Sequence, residues 1–377
     1  MPLLFYSVFG SSARWRCGVT AILVIAAEPR IVAAQGGQPS CDGRRITTIQ
    51  IAPERPSFKG SSRQWQLFAR AIGLHHATTR ADVVGAYLLF KRGEICADAR
   101  LAESERILRA LPFLADARVT ASPDSAGGVI VGVSTTDEIP VLVTGSLRHT
   151  VPAALSLGNE NIGGLGLRVV AGGERGTVYR GAAHLEIADY ALFGQPVSTN
   201  AHIERDFLGE SGAIGVSQPF LSDFQRGAWQ ASYYGGHDFP IVLRPSGDNG
   251  AVELHQVRWS ASGLLRTRFV NTAALWGPVV FGARVTPTSQ MLLITNSGAV
   301  PMTDSLVAPR LLPVRAVWLG GLFAMRRVDY MTRFGLDALF APQDVMAGWE
   351  TGLVAAPGVG ARHDMLLATS TRAGFAT

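Results

Sequence analysis

From Ile139 to Thr377 the chain carries almost no helix signal, and this constrains its fold more than any other feature. "VSTNAHIERDF" puts Val197, Thr199, Ala201 and Ile203 on one face and Ser198, Asn200, His202 and Glu204 on the other. That two-residue period belongs to a strand. Similar runs are "GLRVVAGG", "AAHLEIADYAL", "GAIGVSQPF", "AWQASYYGG", "VELHQVRWSASG", "TAALWGPVVFGARV", "VRAVWLGGLFAM" and "MLLATSTRAGF". Turn signals such as "GERG", "RPSGDNG" and "TNSGAVP" separate several of them, which predicts an antiparallel meander. A soluble sandwich and a membrane barrel share this pattern. The strands are largely apolar or small with intermittent polar residues, as alternating lipid-facing and lumen-facing positions permit, and this favours the barrel. No helix read from the sequence is long and apolar enough to span a bilayer, so a barrel is the one spanning solution.

The N-terminus favours the barrel as well. Arg14 and Arg16 precede the apolar run "CGVTAILVIAA", and "VAAQ" (Val32 to Gln35) offers small residues for cleavage. Residues 1–34 read as a signal peptide and 35–43 as a linker. Cys17 leaves with the signal. Cys41 and Cys96 remain, an even pair in an exported chain, for which a disulfide is expected; two free thiols are the alternative. No His stands at ligand spacing, so the pair makes a poor zinc site.

Residues 44–138 read as a separate α+β unit. "RITTIQI" is a strand. "SRQWQLFARAIGL" has helical spacing, and "TTRADVVGAYLLF" offers a Thr cap and another helix. Asp98 is placed to cap a helix with the stripe Leu101, Ile107, Leu108 and Leu111, which Pro112 stops. Arg106 and Arg109 lie outside that stripe, where contact with a barrel or partner is one reading and a solvated face the commoner fate. "ADARVTA" and "VIVGVST" are strands joined by the turn-rich "SPDSAGG", with Val129, Val131 and Val133 on one face. Two helices are expected to pack on one face of the small sheet.

The formal charge is +5, carried by scattered arginines with no basic run, so nucleic acid is not an expected partner. No nucleophile elbow, P-loop, dinucleotide fingerprint or zincin motif is present, and the eight His residues are dispersed. The expectation is a protein that is not an enzyme, with no cofactor and no metal. The carboxylates Asp137 and Glu138 read as marking a domain junction. Binding is the better function class. A small sheet with an exposed edge accepts another chain as an added strand. The candidate edge is Ala115, Asp116, Ala117, Arg118, Val119, Thr120 and Ala121; the alternative is a structural edge kept soluble by Arg118.

The order strand, helix, helix, strand, strand, then a β-rich region, resembles the POTRA-plus-barrel proteins of the BamA/TamA superfamily of bacterial outer-membrane proteins. "LLFKRGEICADARLAESERILRALPFLADARV" carries the likeness through Gly93, Glu94, Glu103, Ser104, Glu105, Arg106, Leu108, Arg109, Phe113, Leu114, Asp116, Ala117 and Val119. "VIVGVSTTDE" is similar to the closing strand of the front domain and "LGNENIGGLGLRV" to the first barrel hairpin; "ADYALFGQPV" and "VSQPFLSDFQRGAW" resemble later elements. The family's Arg-Gly-Phe loop signature has its nearest match at Arg333, Phe334 and Gly335, in a different order. The resemblance implies a POTRA-like periplasmic domain (44–138) and an outer-membrane β-barrel (139–377). Residues 139–377 hold roughly a dozen spanning strands of about ten residues plus turns. The family has sixteen, and Phe375 does not end the chain as a closing aromatic would, so an incomplete barrel is expected. The implied function is assisting insertion or translocation of other polypeptides. Its partners are unfolded outer-membrane or exported polypeptides, periplasmic or outer-membrane accessory proteins, and the lipid bilayer. A passive channel or receptor barrel and a secreted soluble β-protein are the alternatives.

Overall fold

The computed structural model describes residues 41–55, 77–148, 151–174, 182–206, 209–243, 249–269, 272–295, 298–302, 313–333, 343–360 and 363–374. The signal peptide, linker residues 35–40 and the helix predicted on "SRQWQLFARAIGL" lie outside the described residues. The described residues form two sheets.

The small sheet has the order β1-β3-β2, from β1 (Ile46–Glu54), β2 (Leu114–Pro123) and β3 (Val129–Asp137). β1 runs parallel to β3, and β2 antiparallel to it. Between β1 and β2 come α1 (Ala81–Ala86) and α2 (Asp98–Arg109). The chain turns from β2 to β3 where Gly127 adopts φ +83°, a left-handed conformation that only glycine adopts at no steric cost. Val129, Val131 and Val133 are buried on one face of β3 and meet Leu101, Ile107 and Leu108 of α2 in one core with Val84 and Phe113.

The helix starts differ from the caps predicted. No side chain caps either helix. Thr79 directs both its N–H and its hydroxyl to Asp137, so neither is left for α1. Asp98 accepts the Cys41 N–H instead of capping its own helix. α1 also stops at Ala86, before the "YLLF" that the sequence places inside it. The Leu89 N–H goes to Ser104 Oγ of α2 at 2.9 Å. A tertiary partner has replaced the helical one.

The large sheet is a sequential antiparallel ladder of β4 (Val141–Arg148), β5 (Val151–Asn159), β6 (Leu167–Glu174), β7 (Ala182–Asp189), β8 (Ser198–Asp206), β9 (Gly209–Gln218), β10 (Gly227–Asp238), β12 (Asn249–Phe269), β13 (Thr272–Thr295), β15 (Val314–Arg333), β16 (Gln343–Pro357) and β17 (Met365–Gly374). The short β11 (Ile241–Leu243) pairs with β12 and β14 (Gly298–Met302) with β13. β4 and β17 are the two edges, and the described residues do not close the sheet between them.

The two faces of this ladder differ in kind. Ile187, Ala201, Ile214, Tyr233 and Trp259 stand in one register row across β7, β8, β9, β10 and β12, and Leu265, Trp276, Phe323 and Leu353 in another across β12, β13, β15 and β16. The large side chains of both rows are exposed, a continuous apolar surface of the kind a lipid-facing wall carries. The opposite face is polar over β7 and β8, with Glu186, His202 and Glu204. Over β13 to β16 it is closely packed, with Leu275, Val279, Phe281, Leu322 and Val354 buried together.

The ladder bends round the small domain. That domain touches the β5–β6 turn at one side and Asp344 of β16 at the other. Flat, the nine steps from β5 to β16 would span about 43 Å at about 4.8 Å each. A domain of about a hundred residues has a radius of gyration of only about 13 Å, and α2 is only about 18 Å long. Both contacts are met because the strand ends curl toward the domain.

Candidate strand-binding edge and its junction with the large sheet

Among the described residues β2 is an outer strand of the small sheet, and one row of its backbone groups has no ladder partner there. All seven residues singled out from sequence, Ala115 to Ala121, lie on it. A register irregularity between Leu114 and Asp116 falls at Ala115. Ala117 and Val119 point into the core, and Arg118 is exposed on the other face. The outward N–H of Ala117 donates to Asp116 Oδ1 at 2.8 Å. That of Val119 donates to Glu105 Oε2 of α2, also at 2.8 Å.

The other outer strand is covered in a different way. The segment from Gly93 to Cys96 lies along the start of β1, with Ile46 N–H donating to the Glu94 carbonyl and Gly93 N–H to the Ile46 carbonyl. Cys41 and Cys96 form a disulfide whose Cα atoms are 5.7 Å apart, and it ties this segment to the chain entering β1. Cys41 is buried in the small-domain core, so the last residues of the stretch read as a linker belong to the domain. Cys41, Asp42 and Asp98 form the one group of metal-type side chains among the described residues, and its sulfur is taken by the disulfide.

Asp137, at the end of β3, sits at the junction of the two sheets. It is fully buried and accepts the Thr79 N–H at 2.8 Å and the Thr79 hydroxyl at 2.7 Å. Thr79 Oγ1 in turn accepts from Asn161 Nδ2 of the β5–β6 turn at 2.7 Å, and Asn161 Oδ1 accepts the Gly166 N–H. Arg80 N–H donates to the Gly164 carbonyl. Gly164 has φ +72°, and a Cβ there would lie 2.1 Å from the Thr78 carbonyl oxygen. Only glycine permits so close an approach. Beside this latch, the Tyr87 hydroxyl donates to the Tyr190 carbonyl, and burial holds its acidity well below that of a free phenol.

The second attachment is α2. Arg106 pairs with Glu103, donates to the Leu221 carbonyl at 2.6 Å, and lies 4.1 Å over the Tyr330 ring. Arg109 reaches both carboxylate oxygens of Asp344 at 2.9 to 3.1 Å and also pairs with Glu105. Asp344 is held in addition by Thr332 at 2.7 Å. Of the two readings the sequence leaves for these arginines, the structure takes the docked one: both lie against the large sheet and not on a solvated face. Arg333 ends β15 at the sheet end that carries the small domain, next to the Thr332–Asp344 pair; Phe334 and Gly335 lie outside the described residues. The sequence does not mark Asp344, and it marks the other two only in local roles: Thr79 falls in a helix-cap signal, and Asn161 in the Asn- and Gly-rich "NENIGGLG", which reads as a hairpin turn.

No protein-family model matches the sequence, and no curated protein matches it. Solved structures do. The chain is similar to CdiB and BamA structures. CdiB from Acinetobacter baumannii aligns at 11% identity and a TM-score of 0.43, over 87% of this chain and 48% of that one, so this chain spans about half its length. BamA from Haemophilus ducreyi lacking POTRA domains 1–3 aligns at 10% identity and a TM-score of 0.35, over 88% and 73% of the two chains. CdiB from Escherichia coli aligns at 12% identity and a TM-score of 0.30, over 88% and 70%.

Proposed function

We propose that the chain is an outer-membrane protein whose POTRA-like front domain takes extended segments of other polypeptides on β2, and whose curled sheet helps them into or across the membrane. The observation that carries this reading is the sorting of the large sheet. One face presents continuous apolar rows, and the small α+β domain is clamped at the strand ends on one side. The resemblance of residues 85–137 to the BamA/TamA superfamily supports the same assignment.

The mechanism needs no cofactor and no energy source. Main-chain hydrogen bonds along β2 give affinity for an extended segment without demanding one sequence. The domain is docked at two places, the Thr79–Asn161 latch and the Arg109–Asp344 pair, so a segment held on β2 stays beside the strand ends rather than swinging freely. Among the described residues β4 and β17 are the edges of the ladder, and such edges offer further main-chain groups in the membrane, where an unmet N–H or C=O is costly. An inserting strand that pairs there satisfies both itself and the edge.

Two experiments test this. Carbonate extraction of membranes is expected to leave the chain in the pellet; a chain washed into the supernatant is not membrane-embedded. Depletion is expected to lower the steady-state levels of other outer-membrane proteins. Unchanged levels would leave the embedded barrel standing and remove the assembly role.

A further inference from the structure

The edge that strand addition requires is occupied by the protein's own carboxylates. A strand added to β2 must present carbonyls to the outward N–H groups of Ala117 and Val119. Asp116 holds the first and Glu105 the second, each at 2.8 Å. Asp116 is part of β2 itself. Glu105 comes from α2, so it can leave Val119 by a side-chain rotation that moves no backbone. It also has somewhere to go. Its other oxygen already pairs with Arg109, and Arg109 is fixed to the large sheet through both oxygens of Asp344. Releasing Val119 therefore leaves Arg109 docked, and the edge opens without undocking the domain.

We propose that Glu105 is a gate on this edge, and that the segment which opens it is an extended one carrying lysine or arginine. The proposal rests on the strand-addition reading above. The charge preference follows from the two carboxylates beside the open row. Arg109 is committed to Asp344 and Arg106 to Glu103, and Arg118 is exposed on the opposite face of the sheet. An entering acidic residue meets like charge, and a basic one replaces the contact that Glu105 gives up. With the gate shut, the capped row also resists pairing with a second copy of the sheet, a hazard of unguarded edges.

The test uses the full chain in detergent or nanodiscs, with a short peptide alternating Val and Lys and its Val and Glu counterpart. Binding is followed by fluorescence anisotropy, and hydrogen exchange over residues 115–121 locates it. The Lys peptide is expected to protect β2 and to bind more tightly than the Glu peptide. Glu105→Ala removes the cap and a like charge together, and is expected to raise the affinity of the Glu peptide about tenfold, equivalent to about 1.4 kcal/mol. Glu105→Gln keeps a neutral and weaker acceptor, so a rise of about threefold is expected. Protection of β2 with equal affinity in the parent and both variants overturns the gate and leaves strand addition standing. Binding that leaves β2 unprotected, or no binding to any of the three, overturns strand addition and the gate together. Tighter binding of the Glu peptide than of the Lys peptide by the parent overturns the charge preference.

Discussion

Asp137→Ala is the sharpest perturbation of the junction. The carboxylate is fully buried and holds the N–H and the hydroxyl of Thr79, itself fully buried. Hydrogen bonds to a charged group contribute about 1.5–3 kcal/mol each, so losing two costs about 3–6 kcal/mol. Thr79 Oγ1 also anchors Asn161, so the loss is transmitted to the β5–β6 turn. In a domain of this size a loss of 3 kcal/mol lowers the midpoint by more than about 10 °C. The assay is hydrogen exchange of the β2 and β3 amides against urea, which reads the small domain apart from the large sheet. Asp82→Ala, at an exposed ion pair with Arg80, is the control and is expected to leave the transition in place. A loss below about 1 kcal/mol for Asp137→Ala, or one matched by the control, would refute the reasoning that this buried relay holds the domain together.

Four further outcomes are expected. A double-mutant cycle on Arg109 and Asp344 should give a coupling of about 2 kcal/mol, since both are largely buried and joined by more than one hydrogen bond; strict additivity would show that α2 does not dock there. Gly164→Ala forces a Cβ against the Thr78 carbonyl at a left-handed φ, and should loosen the latch by about 2–5 kcal/mol, read as protease sensitivity near residues 78–80. Reduction of Cys41–Cys96, which closes 55 residues, should cost the small domain about 4 kcal/mol; thiol labelling before and after reductant checks the bond, and unchanged urea midpoints would contradict the estimate. Tyr87→Phe leaves the Tyr190 carbonyl without its donor. The phenol's pKa is raised above its unfolded value by burial, so its stabilisation holds below about pH 10 and is lost as pH rises beyond that. Tyr87→Phe should therefore be less stable at neutral pH and lose less stability in strong alkali.

How much of this was legible depended on sequence distance. The hairpin of β2 and β3 could be read because its evidence is local: Pro112 stops a helix, "SPDSAGG" turns the chain, and alternating valines fix the buried face. The large sheet was legible as a meander for the same reason, since each strand pairs with its sequence neighbour. The docked faces were not. Arg106 and Arg109 sit off the apolar stripe of α2, where solvated and docked arginines look alike, and Asp344 lies 235 residues away. Thr79 reads as a helix cap until Asp137 arrives from 58 residues downstream to claim both of its donors. The histidines are scattered in sequence, yet register sets His237 directly opposite His255, with ring centroids 5.5 Å apart. Local physics specifies the elements, and long-range pairing decides which polar side chains are spent between them.

The central claim is that the alternation of the large sheet separates lipid-facing from enclosed side chains. Single labels at Leu185, Trp276 and Phe323 on the exposed face, and at His202, Leu322 and Ala324 on the other, can be compared for quenching by lipids brominated along the acyl chain. The account predicts strong quenching at the first three positions and little at the second three. Equal quenching on the two faces, or none on either, would contradict it.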